Sequence, residues 1–421
     1  MSTMMGNMRR AILTGAVSAV IALFALGVAR ADVTSDRPGA VLIFPKIVVD
    51  TSGVFGPRTD TELQLTNTSD SVVSARCFLV DATSHCSNNP RQACTPETEA
   101  SGTPRCTGGG VCLAGWATTD FRLTLTKRQP IAWKASDGLD PFPCDGLNDF
   151  CHDNQSNKGS DGSLSRILSV QEDPFFGEMK CVEVDPSTFE PTIGFNPANN
   201  AGGDLKAEVT IVSKGSGGTV DARKYNAIAL ESTTFQDGDP DTLVVGGPGA
   251  EYNGCPNVLI LDHFFDGAVI HTHGRPSTSS ASVTTDLTVV PCGEDLSTSG
   301  LNSLTPITLQ FLVFNEFEQR FSTSTNFSCF REIQLSDIDT RVGPFGNSQS
   351  IFSVAVEGTL SGQTRIRSVA GPNSGNTIVG IAEEFWTGAG PNGRFTDATN
   401  IHFTGTRDQG DTIVLHPDST P

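Results

Sequence analysis

An alternation of apolar and polar residues over positions 61–81 restricts the fold more than any other feature of the sequence. Leu63 and Leu65 alternate with polar residues and lead into an Asx-rich turn at residues 67–70. The alternation then resumes at Val73, Ala75, Cys77 and Leu79. A period of two on both sides of such a turn predicts an antiparallel hairpin with one buried face.

A second stretch, residues 307–329, has the same pattern. Apolar residues alternate before a turn at Asn315, and alternation returns through Phe321 and Phe327 to Cys329. Each stretch follows a short apolar run that includes a proline, Pro45 or Pro291, and we expect each proline to end its strand. Segments 209–230 and 378–403 also correspond, because both contain a strand, a glycine-rich turn, an Asp-Ala pair and another strand.

These correspondences predict an internal duplication. The expected domains are residues 39–235 and 256–421, with a Gly- and Asp-rich linker at 236–255. The first copy carries two insertions, at 83–117 and 136–174, the former rich in cysteine. The alternative is that two unrelated β domains share strand–turn–strand patterns by chance.

Composition favours an all-β fold. The chain has 43 Gly and 24 Pro among 421 residues, and no long stretch has sustained helical periodicity with caps. Each copy contains about seven or eight short apolar segments separated by turns, a count typical of a two-sheet sandwich.

The alternating stretch around Leu63, Leu65 and the turn at 67–70, with its return to Cys77, resembles the immunoglobulin-like domains of bacterial surface and secreted proteins. The resemblance implies two tandem β-sandwich domains. The family's core tryptophan is not evident between two cysteines at the usual spacing. The insertion at 83–117 is similar in composition to small cysteine-rich inserts of secreted bacterial proteins.

The first 31 residues have the features of a signal peptide. Arg9 and Arg10 precede an apolar stretch from residue 11 to 28, and Ala29-Arg30-Ala31 fits a cleavage site, so we expect a mature chain beginning at Asp32. The alternative is a retained membrane anchor. Cleavage would place the protein outside the cytoplasm, as a secreted, periplasmic or cell-surface protein without a membrane span.

The chain is acidic, with a formal net charge of −19. Loss of a signal peptide with three arginines and no acidic residue would make it −22. Such a charge argues against nucleic acid and against anionic membranes as partners.

All 11 cysteines lie beyond residue 31, which predicts structural disulfides in an exported chain. Position along the predicted strands favours one long-range bridge, and neighbouring cysteines then pair locally. The expected bridges are Cys77–Cys181, Cys86–Cys94, Cys106–Cys112, Cys144–Cys151 and Cys292–Cys329, with Cys255 left over. Three connectivities remain open within 86–112, and the main alternative elsewhere joins Cys255 to Cys292 and leaves Cys329 buried and free.

Two groups of residues could bind metal. His271 and His273 share one face of a strand, and with nearby His263 they could hold zinc or copper. The alternative is a pair of polar histidines in a solvent-facing turn.

A second candidate group is acidic. Asp237, Asp239 and Asp241 resemble the start of a calcium loop, although the later ligands are missing. Further acidic residues cluster in the second insertion, at Asp145, Asp149, Asp153 and Asp161. Solvated loops are the alternative for both.

Neither a Gly-x-Ser-x-Gly nucleophile motif nor a phosphate-binding loop occurs in the sequence. We therefore expect an exported, non-enzymatic binding or structural protein without a required cofactor, whose partner is a protein or glycan at the cell surface. The alternative is a metal-binding protein or metal-dependent hydrolase that uses His263, His271 and His273. Four aromatic residues could line a sugar-binding surface: Trp116, Trp133, Tyr225 and Trp386.

Overall fold

A computed structural model describes most of the chain after residue 35. It covers residues 36–94, 106–139, 167–191, 202–215, 217–233, 238–271, 280–297, 306–339, 341–342, 348–369, 377–388, 394–406 and 410–415. The protein is all-β, with 62% strand and 4% helix. The described residues fall within one compact unit. The expected signal peptide, residues 1–31, lies outside them.

Two antiparallel sheets form the part of the chain up to residue 230. Their strands are β1 (Val41–Val49), β2 (Arg58–Asn67), β3 (Val73–Asp81), β4 (Ser84–Cys86), β5 (Asn89–Cys94), β6 (Cys112–Leu113), β7 (Ala117–Leu125), β8 (Pro130–Lys134), β9 (Phe175–Val184), β10 (Leu205–Lys214), β11 (Val220–Asn226) and β12 (Ile228–Leu230). Sheet 1 has the order β11-β10-β2-β8, and sheet 2 has the order β12-β1-β9-β3-β7. Strands β4 to β6 make a separate three-stranded sheet.

Two further sheets form most of the remainder. The strands are β13 (Thr242–Val245), β14 (Pro256–Phe264), β15 (Ala268–His271), β16 (Ser280–Pro291), β17 (Ile307–Asn315), β18 (Arg320–Phe327), β19 (Arg331–Gln334), β20 (Arg341–Val342), β21 (Ser348–Gln349), β22 (Ser361–Val369), β23 (Ile378–Thr387), β24 (Arg394–Asn400), β25 (His402–Thr406) and β26 (Asp411–Val414). Sheet 3 has the order β15-β16-β23-β24, with β19 also paired to β16, and sheet 4 has the order β18-β17-β22-β14-β25. The described helices are α1 (Val354–Glu357) and two 3-10 turns, at Thr107–Gly109 and Leu335–Asp337.

Sheet 2 is covered on both faces. All nine residues of β1, VLIFPKIVV, are buried, whereas β2 alternates between buried and exposed positions. One face of sheet 2 packs on sheet 1 through residues such as Leu42 and Leu63. The other face packs through Val41 and Phe78 against Leu243 of β13 and residues of sheet 3. A continuous apolar run is the pattern of a strand buried on both faces.

The hairpin predicted for residues 61–81 is wrong. Strand β2 pairs with β8 and β10 in sheet 1, whereas β3 pairs with β7 and β9 in sheet 2. The chain therefore crosses between sheets at residues 68–72, where the Asn67 amide donates to the carbonyl of Ser71 at 2.7 Å. Two strands that face each other across a core show the same alternation as a hairpin.

The matching prediction at residues 307–327 is confirmed as a hairpin. Strands β17 and β18 pair directly, with Ile307 opposite Phe327. The Asn315 side chain shapes the turn, because its Oδ1 accepts from the backbone N–H groups of Phe317 and Gln319, both at 3.0 Å. The two stretches on which the duplication was inferred thus differ in their connections.

The segment expected to be a linker, residues 236–255, contains secondary structure. Strand β13 pairs with β26, and Thr242 lies opposite Val414. Tyr252 in the same segment is fully buried. Among the described residues no helix is long and apolar enough to cross a membrane.

The long-range disulfide expected for the first half is present. Cys77 and Cys181 lie opposite each other on β3 and β9 and are bridged across 104 residues of sequence. The expected Cys292–Cys329 bridge is absent, because Cys292 pairs with Cys255 and leaves Cys329 buried and free. This is the alternative pairing considered above.

The small sheet of the first insertion has crossed disulfides. Strand β4 pairs with β5 on one side and with β6 on the other, and the bridges are Cys86–Cys106 and Cys94–Cys112. The local scheme of Cys86–Cys94 and Cys106–Cys112 is therefore wrong, because the central β4 brings together cysteines that are distant in sequence. The expected Cys144–Cys151 bridge lies outside the described residues.

The pairing can be checked by peptide mapping without reduction. We expect Cys77 linked to Cys181, Cys255 linked to Cys292, and a Cys329 thiol that reacts with iodoacetamide only after unfolding, because it is buried. Replacing Cys77 and Cys181 together with Ala should lower the free energy of unfolding by about 4–5 kcal/mol in the chain-entropy model. Alkylation of Cys329 in the native protein, or a peptide linking it to Cys292, would contradict this arrangement.

Candidate ligand-binding site

A β-bulge in β1 begins the site. The register of β1 against β9 shifts between Phe44 and Ile47, so the bulge contains Pro45 and Lys46. Proline has no N–H to donate and is tolerated at such a break, which is why Pro45 lies inside β1 instead of ending it. The Tyr225 hydroxyl accepts from the Lys46 N–H at 3.2 Å and donates to the Lys46 carbonyl. Both main-chain polar groups of Lys46 are therefore satisfied.

The side chain of Lys46 crosses to sheet 3. Its ammonium pairs with Glu332 of β19 and Glu383 of β23, and only 2% of the Lys46 side chain is exposed. Burial opposes its charge, but Glu332 and Glu383 outweigh burial and raise the pKa of Lys46 above its ordinary value. Lys46 is thus a buried cation held by carboxylates from another sheet.

Glu383 holds two cations at once. It is fully buried and also accepts from the Arg223 Nε of β11, so one carboxylate joins sheets 1, 2 and 3. Burial acts to raise the pKa of Glu383, but the charges of Lys46 and Arg223 prevail and hold it below its ordinary value. The side chain is an anion that folding keeps ionised.

A cavity of about 280 Å³ adjoins this network. Its polar lining includes Lys46, Arg223 and Glu332, and its apolar lining includes Phe55, Phe176 and Phe385. A pocket of this size, at the lower end of ligand-binding cavities, accommodates a small molecule. Charged groups and aromatic rings thus face the same space.

The loop between β1 and β2 shapes one wall of the cavity. The Asp50 carboxylate accepts from the backbone N–H groups of Gly53, Val54 and Phe55 at 2.7, 2.8 and 2.7 Å. Gly53 has a φ of 75°, in the left-handed region that glycine adopts without strain. The Phe55 ring meets Phe176 edge to face, with centroids 5.1 Å apart. The loop therefore fixes an aromatic pair at the cavity.

Another part of the lining is the Phe385 ring, which lies near two arginines. The guanidinium carbons of Arg223 and Arg394 lie 5.8 and 5.1 Å from the centroid of Phe385. Cations at these distances are attracted to the face of an aromatic ring. Nearby, the Asp221 carboxylate accepts from the backbone N–H and the hydroxyl of Thr396.

The chain matches no protein-family model. A search of curated proteins finds no significant match to its sequence either. The chemistry of the cavity therefore has to be inferred from the residues that line it.

A second buried ion network lies between sheet 2 and the segment after β16. The Lys180 ammonium binds Glu178 at 2.7 Å and also binds Glu294, and Lys180 and Glu178 are fully buried. Burial, and after it the charge of Glu294, raise the pKa of Glu178 well above its ordinary value. One proton on this pair of carboxyl groups leaves the three side chains neutral overall.

The histidines predicted to bind metal are only partly described. His263 is 4% exposed, its Nδ1 lies 3.0 Å from the Phe264 carbonyl, and its Nε2 lies 2.8 Å from the Thr364 hydroxyl. Burial lowers the pKa of His263 to about 4, so the ring is neutral. His271 belongs to β15 of sheet 3, whereas His263 belongs to β14 of sheet 4. The His271 side chain and all of His273 lie outside the described residues, and the zinc or copper site stays a prediction.

The acidic clusters are also partly described. Asp239 accepts from the backbone N–H of Asp241 at 3.1 Å, which is a local turn contact, while Asp237 lies outside the described residues. The cluster of aspartates in the second insertion, at residues 145–161, lies outside them too. Within the described ranges, one group of potential metal ligands has converging atoms, the sulfurs of Cys86, Cys94 and Cys106, and disulfides occupy all three.

The aromatic residues expected on a sugar-binding surface are mostly core residues. Trp116, Trp133 and Tyr225 are buried. Trp386 is partly exposed and stacks on Phe395 with centroids 5.3 Å apart.

The sequence reasoning missed Lys46 and Glu383, although each leaves a signal in the sequence. A lysine interrupts the apolar run of β1, and two glutamates interrupt the apolar strand β23. A charged residue inside a fully buried strand requires a partner.

Replacing Glu383 with Gln should lower the free energy of unfolding by about 3–5 kcal/mol, because two buried cations lose their shared anion. Urea unfolding at pH 7 measures the change. The matched control is Glu208→Gln, which removes a partly exposed pair with Lys224 and should cost about 0–1 kcal/mol. Equal losses for the two variants would show that the buried network does not stabilise the fold.

Replacing Glu178 with Gln should change the pH dependence of stability. A carboxyl group whose pKa is raised in the folded state binds a proton that the unfolded chain has released, so it destabilises the fold as pH rises above its ordinary pKa. We expect the stability of the wild type to fall relative to Glu178→Gln by up to about 1.4 kcal/mol per pH unit as the pH rises above about 5. Urea unfolding at each pH gives the difference, and a constant difference would contradict a protonated Glu178.

Proposed function

We propose that the chain is an exported, non-enzymatic binding protein, built from two tandem immunoglobulin-like β-sandwiches, that holds a small ligand in the cavity beside Lys46. The observation that carries the proposal is the cavity of about 280 Å³, with an ion-pair network on one side and three phenylalanine rings in its lining. Most ligand sites combine apolar walls with a few placed polar groups.

The arrangement of cores supports the tandem sandwich. One core draws side chains from sheets 1 and 2, including Leu63 and Leu79, and another draws them from sheets 3 and 4, including Leu287 and Phe311. Face-to-face antiparallel sheets around a shared core are the arrangement of immunoglobulin-like domains.

The lining chemistry supports binding over catalysis. Among its described residues there is neither a histidine nor a cysteine. The Ser213 hydroxyl lies 3.1 Å from the Thr59 hydroxyl and accepts from Arg223 at 2.8 Å, so its hydrogen-bond partners among the described residues include no general base. A serine nucleophile requires such a base.

Export is supported by the cysteines and the charge. Four disulfides join described residues, and disulfides persist in oxidising compartments. The net charge of −19 favours a protein that stays in solution.

A thermal-shift screen tests the proposal. Monosaccharides, amino acids, small carboxylic acids and their amides are added to the full chain. A compound that binds only the folded state should raise Tm as its concentration rises. At a concentration of 100 times Kd, the free energy of unfolding should increase by about 2.7 kcal/mol.

Phe385→Ala, which removes a lining ring, should abolish the shift. The matched control is Phe395→Ala, which removes a ring outside the lining and should preserve it. A shift that survives Phe385→Ala, or turnover of a bound compound, would refute the proposed function.

A further inference from the structure

The carboxylates that line the cavity already bind other groups of the protein. Asp50 accepts from backbone N–H groups of its own loop, Asp221 accepts from Thr396, and Glu332 pairs with Lys46. These acidic groups stabilise the walls, so a ligand cation would have to compete with existing contacts.

The cationic side chains of the lining differ in the partners that they bind. Lys46 is bound by Glu332 and Glu383, and Arg223 donates through Nε to Glu383 and through Nη1 to Ser213. The Arg394 side chain makes neither an ion pair nor a hydrogen bond with any other residue that the structure describes, whereas its backbone pairs with Thr387 of β23. Within the described part of the chain, its guanidinium is therefore the cation of the lining that is not paired with a carboxylate.

Phe385 is contacted by two guanidinium groups of the cavity lining. Both lie within 6 Å of its ring centroid, one from β11 and the other from β24. Arg223 has its Nη2 group left after the two hydrogen bonds just described. Guanidinium groups bind carboxylates through paired N–H donors, and here Arg223 is buried while Arg394 is exposed at the cavity edge.

We propose that the cavity binds a small monocarboxylic acid with an apolar body, whose carboxylate is held by Arg394 and by Nη2 of Arg223 beside Phe385, and whose body lies against Phe55 and Phe176. This assignment of a ligand class rests on the proposed function.

Charge and size select a monocarboxylate over other anions. A single negative charge matches the Arg394 guanidinium, which has no carboxylate partner among the described residues. A phosphate dianion would carry twice that charge next to the Asp50, Asp221 and Glu332 carboxylates of the same lining. A volume of about 280 Å³ and an aromatic pair 5.1 Å apart suit a compact apolar group.

Isothermal titration of the full chain with phenylacetate tests the inference, and phenylacetamide serves as the uncharged probe of equal shape. We expect phenylacetate to bind at least about tenfold more tightly than phenylacetamide, because only the carboxylate makes charge-assisted hydrogen bonds. Arg394→Gln should weaken phenylacetate binding by at least about tenfold and leave phenylacetamide unaffected.

The control variant is Arg367→Gln, which removes an exposed arginine that bonds Gln310 on sheet 4 and does not line the cavity. It should leave both affinities unchanged. If Arg394→Gln and Arg367→Gln lost phenylacetate affinity equally, the attraction would be nonspecific and the inference would be overturned.

Two other results separate this inference from the proposed function. If phenylacetamide or a sugar binds at least as tightly as phenylacetate and loses affinity in Phe385→Ala, the cavity binds ligands but the carboxylate assignment is wrong. If neither phenylacetate nor any member of the screen binds in a manner sensitive to Phe385→Ala, both the assignment and the proposed function fail.

Discussion

The Glu383 carboxylate is the group on which the arrangement of the two halves depends. It lies without solvent exposure between Lys46 and Arg223, and each of the three side chains comes from a different sheet. An unpaired charge in such a place would destabilise the fold by several kcal/mol, so the sheets must meet in the geometry that brings these groups together. Apolar packing alone would tolerate several relative positions of sheets 2 and 3. The ion pairs of Glu383 require one of them.

The cavity follows from the same constraint. The bulge at Pro45 turns Lys46 away from its own ladder and toward sheet 3, and the hydroxyl of Tyr225 satisfies the main chain that the bulge exposes. The strand then leaves the core at Asp50, whose carboxylate organises the loop that carries Phe55. One stretch of chain, from Pro45 to Phe55, therefore supplies the β-bulge, the buried charge and part of the aromatic wall of the cavity.

Local pattern predicted the strands but not their partners. Alternation at residues 61–81 predicted two strands, and β2 is half-buried as expected, but β3 is buried on both faces. The two strands entered different sheets because strand pairing is decided by contacts distant in sequence. The bridge between Cys77 and Cys181 was predictable because both cysteines lie in apolar strand segments of the first half of the chain. The crossed bridges of residues 86–112 depend on β4 being the central strand. The pairing of Lys46 with Glu383 could not be predicted for a related reason, because 337 residues separate them in sequence.

The double burial of sheet 2 has a consequence for how the chain reaches its folded state. Strand β1 starts at Val41, but β26, which pairs with the β13 that covers sheet 2, starts at Asp411. During synthesis the first half emerges with Val41 and Phe78 facing water until that distant segment has been made. Exposed apolar strands of this kind are prone to intermolecular association. We therefore expect folding of this protein to benefit from a chaperone that shields apolar β-strands until the last strands have been synthesised.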